Sequence, residues 1–177
     1  MVFSSPFEQL QALDQRCRRG ARGLPAGVKV EEDWVGIGFK LGGEMLVARM
    51  SDVAEILTPP KTIRVPGVKE WVKGLANIRG MLIPVLDMAL FLRSSQGKSP
   101  FDSRILIINK NNIVAGLLVE EVFGLRRFKP ATKSLDIPSS SEALEPFLEG
   151  AFAEGKTTWN IFSIDKLVSN EHFLEVV

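Results

Sequence analysis

Among its 177 residues the chain has one histidine, one cysteine and no tyrosine. With Cys17 alone, an intramolecular disulfide and a cysteine-rich metal site are both excluded, and a reduced cytoplasmic thiol is the simple reading. His172 is solitary near the end of the chain, beside Glu171 and Phe173, which suits a surface role. No His/Cys metal cage and no nucleophile–base pair can be built around it within one chain. The carboxylates show no metal-loop spacing. No G-x-S-x-G, Walker loop or H-E-x-x-H occurs. The want of a phosphorylatable histidine in a helical context argues against a histidine kinase or a phosphotransfer module. Charge of one sign is also missing: 22 basic residues stand against 21 acidic, a net +1. No global field therefore points to nucleic acid or to a membrane surface. No apolar run approaches the ~18 residues of a membrane span. The acidic Glu8 and the lack of a long apolar core near the start argue against a secretion signal.

What is present is ordinary globular material, 45% hydrophobic and 24% charged, enough for one domain with a sizeable core. Residues 5 to 19 read as a helix, with Ser5 as N-cap, Pro6 at the first helical position and Glu8 completing a capping box. Phe7, Leu10, Leu13 (or Asp14) and Cys17 form a thin apolar stripe, and Arg16, Arg18, Arg19 and Arg22 cluster at the end where positive charge complements the helix dipole. That cluster reads as a solvated helix end, a membrane-surface or partner-binding patch being the alternative. Residues 20 to 29 read as a linker, so the division falls between a segment 1–28 and a domain 29–177.

From Trp34 onward the chain turns to short β-segments. Trp34–Phe39 and Met45–Arg49 flank Gly42-Gly43, a hairpin signal, and Ile105–Ile108 and Ile113–Leu118 bracket Lys110-Asn111-Asn112, a second one. Val53–Leu57 and Ile63–Val65 flank Pro59-Pro60, Met88–Leu92 suits a helical turn, and Glu121–Phe128 continues the meander. A polar loop covers 93–102 and a surface excursion 129–146. Phe147–Phe152 and Trp159–Ile164 close the strands, and Ser163 caps a last helix with Leu167, Val168, Phe173 and Leu174 on one side. Such spacing indicates an all-β barrel or sandwich. Gly36-x-Gly38 lies within a strand and reads as room for a neighbouring side chain rather than a dinucleotide loop. The acidic runs Glu31-Glu32-Asp33 and Glu120-Glu121 read as loop and turn charge.

The most informative stretch is residues 74 to 87, Gly-Leu-Ala-Asn-Ile-Arg-Gly-Met-Leu-Ile-Pro-Val-Leu-Asp. Two apolar segments separated by Arg79-Gly80 predict strand, tight turn, strand. Gly80 supplies the positive φ such a corner needs. Pro84 cannot donate to a ladder, which predicts an edge strand or a bulge. Arg79 is a permanent cation between two segments that both favour burial, so it must reach solvent, pair with a carboxylate or meet a partner. Val53, Ile56, Leu57, Met81 and Ile83 can alternate faces along short strands, and any subset left exposed would line a binding groove.

This run closely resembles the signature of the CheW family, the adaptor proteins of bacterial chemosensory arrays. Val53-Ala54-Glu55-Ile56-Leu57 with Pro59-Pro60, Pro66-Gly67-Val68 and Trp71-Val72-Lys73-Gly74 resemble the family's preceding segments. Within the family, Pro6-Phe7-Glu8, Gly23-Leu24-Pro25 and Trp34-x-Gly36-Ile37-Gly38-Phe39 are most like the adaptors of the type IV pilus (twitching-motility) system. The resemblance covers about residues 33 to 168 and fades beyond Pro130. It implies a mainly β fold of two intertwined small SH3-like β-barrel subdomains with a groove between them, carrying an N-terminal helix and a short C-terminal helix. It implies no enzyme, no cofactor and no metal, but a cytoplasmic scaffold recruited to membrane receptor arrays. There it would couple a chemoreceptor's cytoplasmic tip to the regulatory domain of a CheA-like histidine kinase. Protein-binding residues are implied at Val53, Glu55, Leu57, Asn77, Arg79, Gly80 and Val85, with Glu55 and Arg79 as an ion pair. The residues alone leave open a β-barrel enzyme or small-ligand binder using carboxylates such as Glu55 and Asp87.

Overall fold

The computed structural model describes residues 6–20, 32–93, 103–137 and 141–175, with residues 18–20 described by their backbone alone. Contacts divide the chain into two units, residues 1–31 and 32–177. In the first, helix α1 spans Pro6–Gly20 and begins at the predicted proline. Ser5 and the linker residues beyond Gly20 lie outside the described residues, as does most of the loop predicted over 93–102.

The second unit is mainly β. Its strands are β1 (Trp34–Leu41), β2 (Glu44–Arg49), β3 (Val53–Leu57), β4 (Val72–Ile78), β5 (Met81–Asp87), β6 (Arg104–Lys110), β7 (Ile113–Val119), β8 (Glu121–Phe128), β9 (Lys133–Ser134), β10 (Leu148–Glu154) and β11 (Thr157–Phe162). Among the described residues three short α-helices accompany them: α2 (Met88–Phe91), α3 (Ile164–Val168) and α4 (Glu171–Leu174). Two sheets result, one ordered β8-β1-β2-β11-β10-β9 and one ordered β3-β6-β7-β5-β4. The chain builds the first hairpin of the first sheet, crosses to complete the whole second sheet, and crosses back to finish the first. Asp52 and Glu120 mark the two crossings. Strand β8 therefore does not continue the β6–β7 meander as the sequence suggested, but lies antiparallel to β1.

Three tight hairpins share one turn chemistry. Gly42-Gly43 (φ 62° and 82°), Asn111-Asn112 (51° and 63°) and Arg79-Gly80 (52° and 86°) all place two residues at positive φ. That is the type I′ geometry whose twist matches the flanking strands. Two further pairings are parallel, β2 with β11 and β5 with β7. The second decides the expectation of an edge or a bulge at Pro84: β5 is interior, and its ladder to β4 shifts register opposite Val85 and Leu86, beside Pro84. Its ladder to β7 runs only over Val85, Leu86 and Asp87, so the missing N–H of Pro84 falls just outside it. Ile63–Val65 is not a strand; Ile63 makes a single bridge to Leu75.

Three apolar cores fill the unit. One is shared between the sheets and contains Phe39, Leu46, Leu106, Ile108, Leu117, Phe162 and Leu167. The second sheet encloses Ala76, Ile78, Ile83, Val85, Ile105 and Ile107, and the first encloses Val47, Phe128, Phe152, Trp159 and Ile161. Phe128 and Phe152 stack at 4.5 Å, and Trp34 lies 5.1 Å from Phe152, contacts worth ~0.5–1.5 kcal/mol each beyond their burial. Gly38 serves the purpose read from the sequence, since a Cβ there would come within 2.9 Å of the Trp159 ring. The excursion after Phe128 returns its Leu144 to the shared core.

Ser163 caps α3 by accepting from the Lys166 N–H. The predicted single last helix breaks into two, because Asn170 starts α4 with a cap of its own. Phe173 is buried, whereas Leu174 is exposed rather than facing inward. His172 does lie on this helix, exposed, with its ring 4.7 Å from Trp71 and 5.6 Å from Phe91.

Candidate protein-interaction site

Strands β3 and β4 are the two edges of the second sheet. Yet Arg79, at the tip of the β4–β5 hairpin, donates from Nη2 to Glu55 Oε1 of β3 at 2.6 Å. A contact between opposite edges requires the sheet to curl on itself, so the Glu55–Arg79 pair spans the seam of a small barrel. The hairpin tip is further held by the Gly80 N–H donating to Asn77 Oδ1 at 2.9 Å.

The local environment decides what this pair can do. Arg79 keeps 76% of its side chain exposed and Glu55 keeps 26%. A pair this open is worth ~0–1 kcal/mol to stability. Arg79 also occupies φ 52°, a region where a non-glycine side chain is disfavoured. The fold thus gains little from the ion pair of an arginine that it holds in a costly backbone conformation.

The elements that carry the pair also expose apolar side chains: Ile56 on β3, Met81 (59%) and Leu82 (64%) at the start of β5, and Ile63 in the segment bridged to β4 at Leu75. Val53 and Leu57 are half-buried, Val53 against the shared core and Leu57 against the second sheet's core. Six of the seven sequence-derived residues, Val53, Glu55, Leu57, Asn77, Arg79 and Gly80, therefore belong to β3 or to the hairpin tip whose Arg79 reaches it. Val85 does not fit: it is 2% exposed and packed inside the barrel, because its strand is covered by β4 on one side and β7 on the other. Ile83 is likewise core. Sequence reasoning passed over Leu82 and Ile63, whose exposure follows from the hairpin tip and from the irregular backbone after Pro60.

The carboxylates considered for chemistry are engaged elsewhere. Asp87 Oδ1 accepts from the Leu90 N–H at 3.1 Å and caps α2, while Oδ2 meets Lys73 Nζ at 3.1 Å. Asp87 borders a cleft of about 240 Å³ with Pro59, Lys73, Ala89 and Glu120. Glu120 accepts from the Gly42 N–H at 2.8 Å, tying the second crossing to the first hairpin. Among the described residues no three His, Cys, Asp or Glu side chains converge as a metal site.

The fold and the seam together define a mainly β, two-sheet domain whose distinguishing surface is apolar, ion-paired and built on a strand edge. The chain belongs to the CheW-like domain family, whose model matches residues 35–172. It is 42% identical over 172 residues to Protein PilI of Pseudomonas aeruginosa, covering 97% of this chain and 96% of that one. Protein FrzA of Myxococcus xanthus is 27% identical over 83% of this chain and 91% of its own length. Among solved structures, the scaffolding protein TtCheW from Thermoanaerobacter tengcongensis superposes with a TM-score of 0.64 at 25% identity, covering 76% of this chain and 90% of that one. The chain is accordingly a CheW-like adaptor, related to PilI and FrzA.

Proposed function

We propose that the protein is a non-catalytic cytoplasmic scaffold that couples a methyl-accepting chemoreceptor to a CheA-like histidine kinase in a pathway controlling type IV pili and twitching motility. The observation that carries this reading is the likeness to PilI across nearly the whole chain. The barrel seam supports it, because the elements that carry the ion pair also expose apolar side chains, which suits a protein partner. An adaptor must contact its partners differently in their two signalling states, and a strand edge with an adjacent hairpin tip offers such contacts. Among the described residues no helix is long and apolar enough to cross a membrane, so recruitment to receptor arrays would run through protein contacts.

Binding of the purified protein to the kinase's regulatory domain and to a receptor's cytoplasmic tip tests the reading. Arg79→Ala is expected to weaken at least one of the two by about tenfold or more, while lowering stability by no more than ~1 kcal/mol. Val53→Glu is expected to lower stability as well as disrupt receptor coupling, since Val53 packs against the shared core and an unpaired charge there is costly. An Arg79→Ala protein that keeps both affinities defeats the proposal.

A further inference from the structure

The strand that carries half of the candidate site is held on one side only. β3 is an edge, paired with β6 from Val53↔Ile108 to Leu57↔Ile105, with an irregularity between Val53 and Glu55. The irregularity puts Val53, opposite Ile108, on the shared-core side. Glu55 and Leu57, opposite Ile107 and Ile105, lie on the side of the second sheet's own core. A slip of one residue would therefore turn Glu55 away from Arg79. Something must fix its register.

The fixing element lies at its first residue. Asp52, immediately before Val53, has a carboxylate only 6% exposed. Lys110 Nζ reaches Asp52 Oδ1 at 3.0 Å and Asp165 Oδ2 at 2.9 Å. Three distant parts of the chain thereby meet at one ammonium group: the crossing from the first sheet into β3, the end of β6, and the first turn of α3. Lys110 lies two residues beyond Ile108, so it acts where the β3–β6 ladder begins. A buried carboxylate cannot be left without its counter-charge, which ties the crossing to β6.

We propose that the Asp52–Lys110–Asp165 clasp is a positioning device that sets the register of β3, keeps Glu55 at Arg79 and so presents this edge to the partner. The clasp touches none of the seam residues and acts on binding through the strand alone. The binding part of this inference rests on the adaptor reading above; the register part does not.

Amide hydrogen exchange and partner binding, measured on the full chain, separate the two. In Lys110→Met, the protected amides of β3 are expected to exchange about tenfold faster or more, while those of β1, β2, β4 and β5 keep their rates. Affinity for the kinase domain or the receptor tip should fall in step. Lys110→Arg, which retains the cation, should restore both. Asp165→Asn, which removes only the exposed arm, gives a smaller change in the same direction and serves if Lys110→Met does not fold. Unchanged β3 exchange, or equal acceleration in every strand, overturns the proposal, the latter showing a general stabilising role. Loosened β3 with undiminished binding of both partners overturns the assignment of this edge to the partner face and leaves the register role standing.

Discussion

Lys110 is held between two carboxylates, and their hydrogen bonds, Asp165's first and then Asp52's, raise its pKa above the ordinary 10.5. The folded value thus exceeds the unfolded one. The associated stability is complete below about pH 10.5 and is lost as pH rises through the higher folded value. Denaturant midpoints followed from pH 8 to pH 12 should fall more steeply for the wild type than for Lys110→Met, and parallel alkaline limbs would contradict this. At neutral pH the substitution should cost about 2 kcal/mol, the penalty of a buried carboxylate stripped of its partner. This trio was not legible in the sequence, since 58 residues separate Asp52 from Lys110 and nothing local marks either. The Glu55–Arg79 pair was reached only through family resemblance, because composition and spacing identify a stranded cation but not its partner. The positive φ of Arg79 was missed, since Gly80 beside it already accounted for a tight turn.

Elements that announce themselves through local chemistry were readable. Gly42-Gly43 and Asn111-Asn112 marked their hairpins because few residues tolerate positive φ, and Pro6 marked the start of α1. Pairings between distant strands were not readable: Pro84 left an edge and a bulge open, and only the β5–β7 ladder makes the strand interior, with the bulge beside the proline. The same ladder buried Val85, which the family motif alone had placed at the surface. Helix α1 leads to a prediction at this scale. Its Phe7, Leu10 and Leu13 are 68%, 65% and 57% exposed, and residues 32–177 form a unit with cores of their own. A chain lacking residues 1–28 should therefore melt within a few degrees of the full-length protein in a calorimetric scan. A fall of 10 °C or more would mean that the segment contributes on the scale of a core element.

At the scale of the molecule, the two sheets share one core and are threaded by the chain only at Asp52 and Glu120. Melting either sheet would strip apolar cover from the other. Residues 32–177 should consequently unfold in a single transition, with equal calorimetric and van't Hoff enthalpies, and two resolved transitions would show the sheets to be separable. The overall class, mainly β with short strands, was evident from strand spacing, but the nesting of one sheet inside the other was not. Nesting is decided by which distant edges meet, and sequence periodicity carries no information on that.

The parallel pairing of β2 with β11 has a consequence for how the protein is made. Synthesis proceeds from the N-terminus, so β1 and β2 leave the ribosome long before Asn160 and Ile161 exist to cover Leu46 and Val47. All five strands of the second sheet are complete well before then and can assemble first. The first hairpin must wait with both flanks open until β8 reaches β1, and with the β2 flank open until β11 is made. A ribosome stalled after β7 would hold a finished inner sheet and an orphaned outer hairpin, the form in which this chain is most exposed to aggregation and to chaperones.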